Sequence, residues 1–416
     1  MATIKTDVWV FADWAGMAQP KCIGMLSAQY TKGRRNYSFE YDPFWLQSKE
    51  QLILDPDIGW FSGVQFPNRK DNFGMFLDSM PDTWGRTLMK RRSAMIAKKE
   101  GKAFPVLHDI DFLLGVQDEC RMGALRFKLD KDGPFVDYSK DFSVPPWTSA
   151  IELQHSVEMI ESNENNEEMK SWLAVLVAPG SSLGGARPKA SIIDKSGQLW
   201  IAKFPSKNDS YDKAAWEFLA FRLAILSGIE MAESKLQIIT GKYHTFFTKR
   251  FDRIQRNRIH FASAMTMIGK NEIMLRDEPA SYLELAEFIK FSGAENKKDL
   301  HQLWRRIVFN IMISNTDDHP RNHGFILTDR GWRLSPAFDV NPSVEKDGLS
   351  MNIDMDNNAL DIDLAKSVAQ YFMLSNDQAE KTIREIRFVV GKWKSIAKEI
   401  GIKKAELENM ESAFRT

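Results

Sequence analysis

The chain has 416 residues, of which 43% are hydrophobic and 27% are charged, and 56 basic side chains balance 56 acidic ones. This length predicts two or three domains with substantial cores, and the balanced charge gives no argument for direct binding to nucleic acid or to an anionic membrane. The chain has two cysteines, Cys22 and Cys120, so neither a disulfide framework nor a zinc cluster is expected. It has no apolar signal core at its start and no apolar run long enough to span a bilayer, so it is expected to be a cytoplasmic globular protein.

The N-terminal part of the chain has mixed signals, with strands early. Tyr37, Phe39 and Tyr41 alternate with polar residues, which predicts a half-buried strand. Further along, a turn leads into a basic helix that is predicted to end at residues 90–92, and that charge run is typical of a solvated helix face. Residues 121–127 are predicted to form a strand that closes this part.

A glycine-rich segment spans residues 178–190. Glycines such as Gly184 and Gly185 let backbone amides approach phosphate oxygens, and Lys189 adds positive charge. The segment is not a Walker loop, because Ala186 and Arg187 stand where that motif requires lysine and serine or threonine, and it does not match Gly-x-Gly-x-x-Gly. Taken alone it is more typical of a plain hairpin turn.

The residues that follow strengthen a nucleotide-binding interpretation. Residues 190–194 and 199–204 predict two antiparallel strands around a turn, and the second strand ends with Lys203. A glycine-rich loop, a strand and a strand-borne lysine stand in the order found in a kinase nucleotide lobe. A helix is predicted over residues 214–226, with Glu217 in its first turn. Glu217 is either the charge partner of Lys203 or an acid placed there for the helix dipole.

The remaining pattern predicts a further hairpin and then helices. Residues 236–239 and 244–251 flank a turn at 240–242, and the end of this hairpin is placed to link two lobes. Beyond Ser281 the chain is predicted to be almost wholly helical, with an amphipathic pattern from Ile383 to Ile400.

The chemistry is concentrated after an amphipathic helix whose apolar residues recur at i, i+3, i+4 spacing from Leu300 to Met312. Pro320 prevents further regular helix, so Asp317 lies in a loop. Asp317 and Asn322 have the five-residue separation of the catalytic aspartate and the metal-binding asparagine in the protein-kinase catalytic loop. Asp339 follows in an apolar turn at residues 335–340.

These residue types match the needs of phosphoryl transfer. Asp317 can orient the attacking hydroxyl and accept its proton, while Asn322 and Asp339 offer oxygen ligands that hold magnesium against the phosphates. Asp318, adjacent to the predicted base, could share the metal or substitute in part. The plain alternative is that aspartate and asparagine cap helices and form turns, which explains any one of them better than it explains the ordered set.

Three other functions compete with a protein kinase. A metal-dependent hydrolase would use five side chains: Asp317, Asp318, His319, His323 and Asp339. Pro320 argues against the helical turn that would align the two histidines, and a hydrolase gives the glycine-rich segment and Lys203 no role. A small-molecule phosphotransferase with a kinase-like fold would share the same core motifs. A catalytically silent binding module would not need all four of the predicted active-site residues, which are Lys203, Asp317, Asn322 and Asp339.

The ordered set resembles the HipA family, the serine/threonine kinase toxins of bacterial type II toxin–antitoxin systems. Five motifs in the family's order establish the resemblance: Ser181–Lys189, Ala202–Pro205, Lys249–Arg253, Asn315–His323 and Ser335–Asp339. Two further segments, Met80–Arg86 and Gly123–Phe127, are similar to the family's N-terminal subdomain. The resemblance therefore extends over nearly the whole chain.

The resemblance implies an α+β, bilobed protein-kinase-like fold with a β-rich nucleotide lobe, an all-helical C-terminal lobe and an additional N-terminal β-rich subdomain. The corresponding ranges are residues 1–135 for the subdomain, 150–255 for the nucleotide lobe and 256–416 for the helical lobe. It also implies an ATP- and Mg²⁺-dependent activity. The implied residue roles are as follows: Asp317 as base, Asn322 and Asp339 as metal ligands, and Gly184, Gly185, Lys189, Lys203, Glu217, Lys249, Phe251 and His319 around the nucleotide.

The family also implies a regulatory site and partners. Some members are autophosphorylated on a serine of the glycine-rich loop with loss of activity, and Ser182 matches that position, with Ser181 beside it. A phosphate there would repel ATP. The family's substrates are typically aminoacyl-tRNA synthetases, and its usual partner is a small HipB-like helix-turn-helix antitoxin that brings the pair to DNA.

Overall fold

The computed structural model describes residues 4–31, 34–48, 51–136, 144–162, 176, 187–255 and 257–416. The chain divides into two compact units. The first unit comprises Met1–Lys207 and Asp252–Ala262, and the second comprises Asn208–Phe251 and Ser263–Thr416. Both units combine helices with antiparallel strands, so the mixture of helices and sheets expected of the predicted α+β class is confirmed. None of the helices in the described ranges has the length and apolar character needed to cross a membrane.

The first unit is rich in strands. Its strands are β1 (Ile4–Ala12), β2 (Lys21–Thr31), β3 (Arg34–Tyr41), β4 (Leu125–Lys128), β5 (Lys189–Ile193), β6 (Leu199–Lys203), β9 (Arg253–Ile254), β10 (Asn257–Arg258) and the start of β11 (Phe261–Ser263). Its described helices are α1 (Pro43–Leu46), α2 (Gly74–Leu77), α3 (Thr83–Lys99), α4 (Asp109–Leu114) and α5 (Ala150–Glu161). One sheet has the order β3-β2-β1-β4 with antiparallel pairs.

That sheet contains the strand predicted from the alternation of aromatic and polar residues. Tyr37, Phe39 and Tyr41 are all buried, and they face a core formed by apolar side chains of β1, β2, α2 and α4. The Phe39 ring packs edge-on against Phe73, with ring centroids 6.4 Å apart, and at a tilt against Phe76, with ring centroids 5.9 Å apart. The period-2 pattern therefore marked the buried face of this sheet correctly.

Two boundaries in the first unit were predicted wrongly. The basic helix does not end at residues 90–92 but continues as α3 to Lys99, because good helix formers follow and the first strong stop is Gly101 at φ +64°. The strand predicted over residues 121–127 begins only at Leu125. Gly123 adopts φ +74° and donates its N–H to Asp252 Oδ2 (2.8 Å), which takes it out of the strand ladder.

The predicted antiparallel pair after the glycine-rich segment is confirmed as β5 and β6. Lys189 lies directly opposite Lys203 in their register, and Ile193 lies opposite Leu199. The turn between them is closed by Asp194, whose carboxylate accepts backbone N–H groups of Ser196 and Gln198. These donors, with the Trp200 indole and the Ser196 hydroxyl, outweigh the effect of burial and lower the pKa of Asp194 to about 2.

The second unit contains most of the helices. Its longer helices are α6 (Lys213–Leu226), α9 (Tyr282–Ser292), α10 (Asn296–Met312), α12 (Asn376–Val390) and α13 (Trp393–Ile400). Its shorter helices are α7 (Ala264–Met267), α8 (Met274–Asp277), α11 (Ile362–Ser367) and α14 (Lys404–Asn409). Its strands form two hairpins, β7 (Ser234–Gln237) with β8 (Thr245–Lys249) and β12 (Gly324–Thr328) with β13 (Gly331–Leu334).

Helix α10 is the centre of this unit, as its pattern predicts. Leu300, Leu303, Trp304, Ile307 and Ile311 are fully buried, and the helix contacts α9, α11 and α12. Burying side chains of this size stabilises the folded state by about 1.5–3 kcal/mol each. The same face fixes the end of α10, from which the predicted catalytic loop emerges.

One further prediction for the second unit is confirmed and another needs correction. The amphipathic pattern from Ile383 to Ile400 is helical as predicted and is divided between two helices, with a break at residues 391–392, where Gly391 lowers helix propensity. The region beyond Ser281 is not wholly helical, because β12 and β13 form a hairpin in it. Asp299 of α10 holds this hairpin, since it accepts bonds from Arg333 Nε (2.9 Å) and the Leu334 N–H (3.0 Å).

Candidate active site

The predicted catalytic loop runs from the end of α10 to the start of β12. Ser314 begins it in the left-handed region at φ +49°, which turns the chain out of the helix. Asn315 then folds back on α10, because its backbone N–H donates to Asn310 O (2.8 Å) and its amide to Asn310 Oδ1 (3.1 Å). The Asn315 amide oxygen accepts from the Asn341 N–H (3.2 Å), which joins this loop to the segment after Asp339.

The two adjacent aspartates have opposite surroundings. The Asp317 side chain is 70% exposed, and its carboxylate approaches His319 Nε2 at 3.9 Å. Asp318 is 1% exposed. Its Oδ1 accepts the Ser350 N–H (2.6 Å), and its Oδ2 accepts the Tyr282 hydroxyl (2.5 Å). A carboxylate engaged in this way holds the loop in place, and of the two aspartates Asp317 is the one that is accessible from solvent.

The Asp318 contacts belong to a buried polar network that sequence reasoning missed. The Tyr282 hydroxyl accepts from Asn310 Nδ2 (2.9 Å), and the Ser350 hydroxyl donates to Thr316 O (2.7 Å). Burial raises the pKa of Asp318 to about 6, although its hydrogen bonds act in the opposite direction. Tyr282 and Ser350 are far from the loop in sequence, and no local pattern marks them as its partners.

The raised pKa of Asp318 predicts that stability falls as pH rises. The folded state binds this proton more tightly than the unfolded state, so the favourable contribution is present near pH 4 and is lost as pH passes about 6. From this group alone we expect the free energy of unfolding to fall by about 2.5 kcal/mol between pH 4 and pH 8. Urea denaturation of the wild type and of Asp318→Asn at several pH values would measure it. Equal pH dependence in the two proteins would contradict the prediction.

The predicted metal ligands lie in the same unit as Asp317. Asn322 is buried, and its Nδ2 donates to Asp317 O (2.7 Å), which leaves Oδ1 as the atom for a cation. Asp339 is partly buried at φ +56°, an unusual conformation for a non-glycine residue. His319 lies near both carboxylates: burial lowers its pKa, while Asp317 and Asp339 act to raise it.

This donor set fits magnesium. Mg²⁺ usually takes one or two protein oxygen ligands and completes its shell with water and substrate phosphates. Asn322 Oδ1 and the Asp339 carboxylate are such ligands, and the left-handed backbone at Asp339 is the kind of strain that is found at functional positions.

The hydrolase alternative gains no support from the same residues. Among the described residues, no group of three or more histidine, cysteine, aspartate or glutamate side chains could hold a metal ion. Asp318 is committed to Tyr282 and Ser350. His323 is fully buried, and burial lowers its pKa to about 3.

The segments that flank the predicted metal ligands are tied to the rest of the second unit. Phe338, directly before Asp339, packs on Phe251 with ring centroids 5.6 Å apart. Arg306 of α10 is fully buried and donates through Nη2 to Ser335 O (2.5 Å). The backbone N–H of Lys249 donates to Glu233 O (2.8 Å). Phe251, predicted to contact the nucleotide, therefore lies beside the segment that presents Asp339.

The sequence predicted Glu217 in the first turn of its helix, and this prediction is wrong. Asp212 caps α6 by accepting the Ala215 N–H (3.1 Å), so the helix begins at Lys213 and Glu217 is its fifth residue. The helix dipole acts within the first turn, which makes it a poor explanation for this buried carboxylate. Pairing of Glu217 with Lys203 stays a prediction.

The remaining predicted residues belong to the first unit. Lys203 ends β6 and is buried, and Lys189 begins β5, where its Nζ lies 2.8 Å from Asp82 Oδ2. Gly184, Gly185 and Ser182 lie outside the described residues.

Two of the sequence motifs meet within the first unit. Asp252 Oδ2 accepts from the Gly123 N–H (2.8 Å) and from Arg253 Nη1 (2.6 Å). Arg253 also donates through Nη2 to Arg121 O (2.7 Å). The end of the Lys249–Arg253 motif therefore holds the turn that precedes β4. The side chains of Asp252 and Arg253 are both buried.

Comparison with known proteins shows which family this chain is similar to. The model of the HipA-like C-terminal domain matches residues 181–393, more than half of the chain. Two proteins of Sinorhizobium fredii, "Putative kinase Y4mE" and "Putative kinase Y4dM", are 23% identical over 197 residues and 28% identical over 158 residues. The matches cover 42% and 35% of this chain, and 45% and 37% of those proteins. The chain thus spans about half or less of the length of these relatives.

A solved structure has the same fold. It is that of the "Shewanella oneidensis MR-1 Toxin Antitoxin System HipA, HipB and its operator DNA complex", with a TM-score of 0.65 at 18% identity. The match covers 94% of this chain and 93% of that chain. At this identity the likeness establishes the fold, while the chemistry has to be argued from the site.

Proposed function

Because the chain belongs to the family of proteins with a HipA-like C-terminal domain, we propose that it is an ATP-dependent serine/threonine protein kinase that acts as a growth-arresting toxin. The observation that supports this most is the difference in exposure and hydrogen bonding between the adjacent aspartates, Asp317 and Asp318. Asp317 is exposed in the loop between α10 and β12, and the buried Asp318 fixes that loop. Phosphoryl transfer depends mainly on such positioning and on electrostatic stabilisation.

In this proposal Asp317 orients the hydroxyl of the protein substrate and accepts its proton. Its 70% exposure gives a substrate access, and the hydrogen bond from Asn322 Nδ2 to Asp317 O fixes the backbone that carries it. Asn322 Oδ1 and Asp339 would hold magnesium, which supplies charge neutralisation at the phosphates when it is bound. Asp318 shares neither role, since both of its oxygens accept internal hydrogen bonds.

The nucleotide is proposed to contact the residues that the sequence motifs indicate. Lys203 contacts the phosphates and is oriented by Glu217, while Gly184 and Gly185 let backbone amides approach the phosphate oxygens. The backbone from Lys249 to Phe251 holds the adenine, and His319 lies close to the predicted base and metal ligand. The contact of Phe251 with Phe338 supports this, because it ties the proposed adenine segment to the one that presents Asp339.

The partners follow from the family. The similar Shewanella structure contains HipA, HipB and operator DNA. We propose that this chain likewise binds a HipB-like helix-turn-helix antitoxin and reaches DNA through it, which agrees with its balanced charge. Its substrate is proposed to be a cytoplasmic aminoacyl-tRNA synthetase. The proposed domain limits remain 1–135, 150–255 and 256–416.

The proposal is tested by incubating the purified chain with magnesium and γ-labelled ATP and mapping the label by mass spectrometry of residues 178–190. We expect label on Ser182 in the wild type and none in Asp317→Ala, since self-modification requires the same base as substrate transfer. Label on Ser181 would relocate the regulatory site. Transfer to a small molecule and not to protein would favour a small-molecule phosphotransferase, and unphosphorylated protein that fails to bind ATP would contradict the proposal.

A further inference from the structure

The Met80–Arg86 motif has no role in the chemistry described so far, but its aspartate makes two buried contacts. Asp82 Oδ1 accepts the Gly85 N–H (2.8 Å) and so caps α3. Asp82 Oδ2 lies 2.8 Å from Lys189 Nζ, and both side chains are 2% exposed. A buried ion pair of this kind is costly to break from one side, because the remaining charge stays buried without its partner.

The position of Lys189 gives this pair its significance. Lys189 is the first residue of β5, directly after the glycine-rich segment, and it lies opposite Lys203 on β6. Residues directly opposite in an antiparallel pair project from the same face, and like charges there destabilise the pairing. Asp82 offsets the charge of one of these two lysines.

The strand end beside Lys189 is fixed by two more contacts. Arg187 Nε donates to Phe204 O (3.1 Å), and the Phe204 N–H donates to Pro188 O (2.9 Å). Residues 187–189 are therefore attached on one side to the strand of Lys203 and on the other to α3.

The turn that carries Asp82 is itself braced. Arg86 Nε donates to Pro81 O (3.2 Å), and Arg86 Nη1 pairs with Asp109 Oδ1 (3.2 Å). These contacts of Arg86 stabilise the turn that carries Asp82. A stabilised turn is suited to a residue that has to position another side chain, here Lys189.

We propose that Asp82 is a positioning residue for the nucleotide site. Its carboxylate holds Lys189, which fixes the strand end that follows the glycine-rich segment and leaves Lys203 as the lysine of this face that acts on the phosphates. This inference rests on the proposed kinase function and goes beyond it, since it gives the Met80–Arg86 motif a part in nucleotide binding and gives Lys189 an indirect role.

The test compares Asp82→Asn, Lys189→Met and the double variant in the full chain. Asparagine caps helices as well as aspartate, so Asp82→Asn removes the charge and keeps the cap. We expect its MgATP dissociation constant, measured by calorimetry, to rise about tenfold, within the range of coupling between contacting residues. The double variant should recover most of that loss, because it buries no uncompensated cation, whereas a merely structural role would leave ATP affinity unchanged.

The matched control is Asp42→Asn, because Asp42 also caps a helix, α1, and also pairs with a lysine, Lys131, but does not touch Lys189 or the turn that carries Asp82. Hydrogen exchange of residues 187–193 without nucleotide gives a second readout, and it should be faster in Asp82→Asn than in the control. Wild-type ATP affinity and exchange in Asp82→Asn, or a loss in Lys189→Met as large as in Lys203→Met, would overturn the inference. Failure of the wild type itself to bind MgATP would instead overturn the proposed function.

Discussion

Replacing Asp317 by alanine is expected to lower phosphoryl transfer about a thousandfold, within the range that loss of a positioned general base produces. The fold should survive, because the side chain is 70% exposed and contributes little packing. We expect the free energy of unfolding to change by less than about 0.5 kcal/mol. Single-turnover transfer of labelled phosphate and urea denaturation, measured on the same preparation, would give both values.

Two companions make this prediction specific. Asp317→Asn keeps the shape of the side chain but cannot accept the proton, so it should be nearly as inactive as the alanine variant. Asp329→Ala removes an exposed carboxylate from the turn between β12 and β13 and should leave transfer intact. Full transfer by a well-folded Asp317→Ala protein would show that Asp317 is not the base.

Much of the fold could be predicted because local patterns agree with the final packing. The apolar stripe of α10 is fully buried, the hairpin β5–β6 lies where it was predicted, and the hairpin β7–β8 forms with its first strand two residues earlier than predicted. The β12–β13 hairpin was missed because its strands are short and are held by a distant residue, Asp299, through Arg333. Such support is invisible to local periodicity.

In the candidate site, too, local features could be predicted from the sequence, whereas contacts with distant residues could not. The five-residue spacing from Asp317 to Asn322 could be read directly, and the structure joins them through the Asn322 amide. The separate surroundings of Asp317 and Asp318 could not be read, since Tyr282 and Ser350 approach from elements far along the chain. Likewise nothing local indicates that Lys189 pairs with Asp82.

Replacing Asp318 by alanine is expected to cost stability on the order of 2–5 kcal/mol. The change removes the acceptor of the buried Tyr282 hydroxyl and of the partly buried Ser350 N–H, and each such group costs about 1–3 kcal/mol. Urea denaturation followed by far-UV circular dichroism would measure the loss. Asp363→Ala is the control, because that carboxylate is 89% exposed and its removal should have little effect.

The conservative variant separates a structural role for Asp318 from a chemical one. Asp318→Asn keeps an oxygen for the Ser350 N–H, and the Tyr282 hydroxyl can turn to accept from the new amide, so most stability should return. Phosphoryl transfer should return with it, because the loop that carries Asp317 is again held in place. A fully stable Asp318→Asn protein without transfer would show instead that the Asp318 carboxylate takes part in the reaction, as a metal ligand or as a second base.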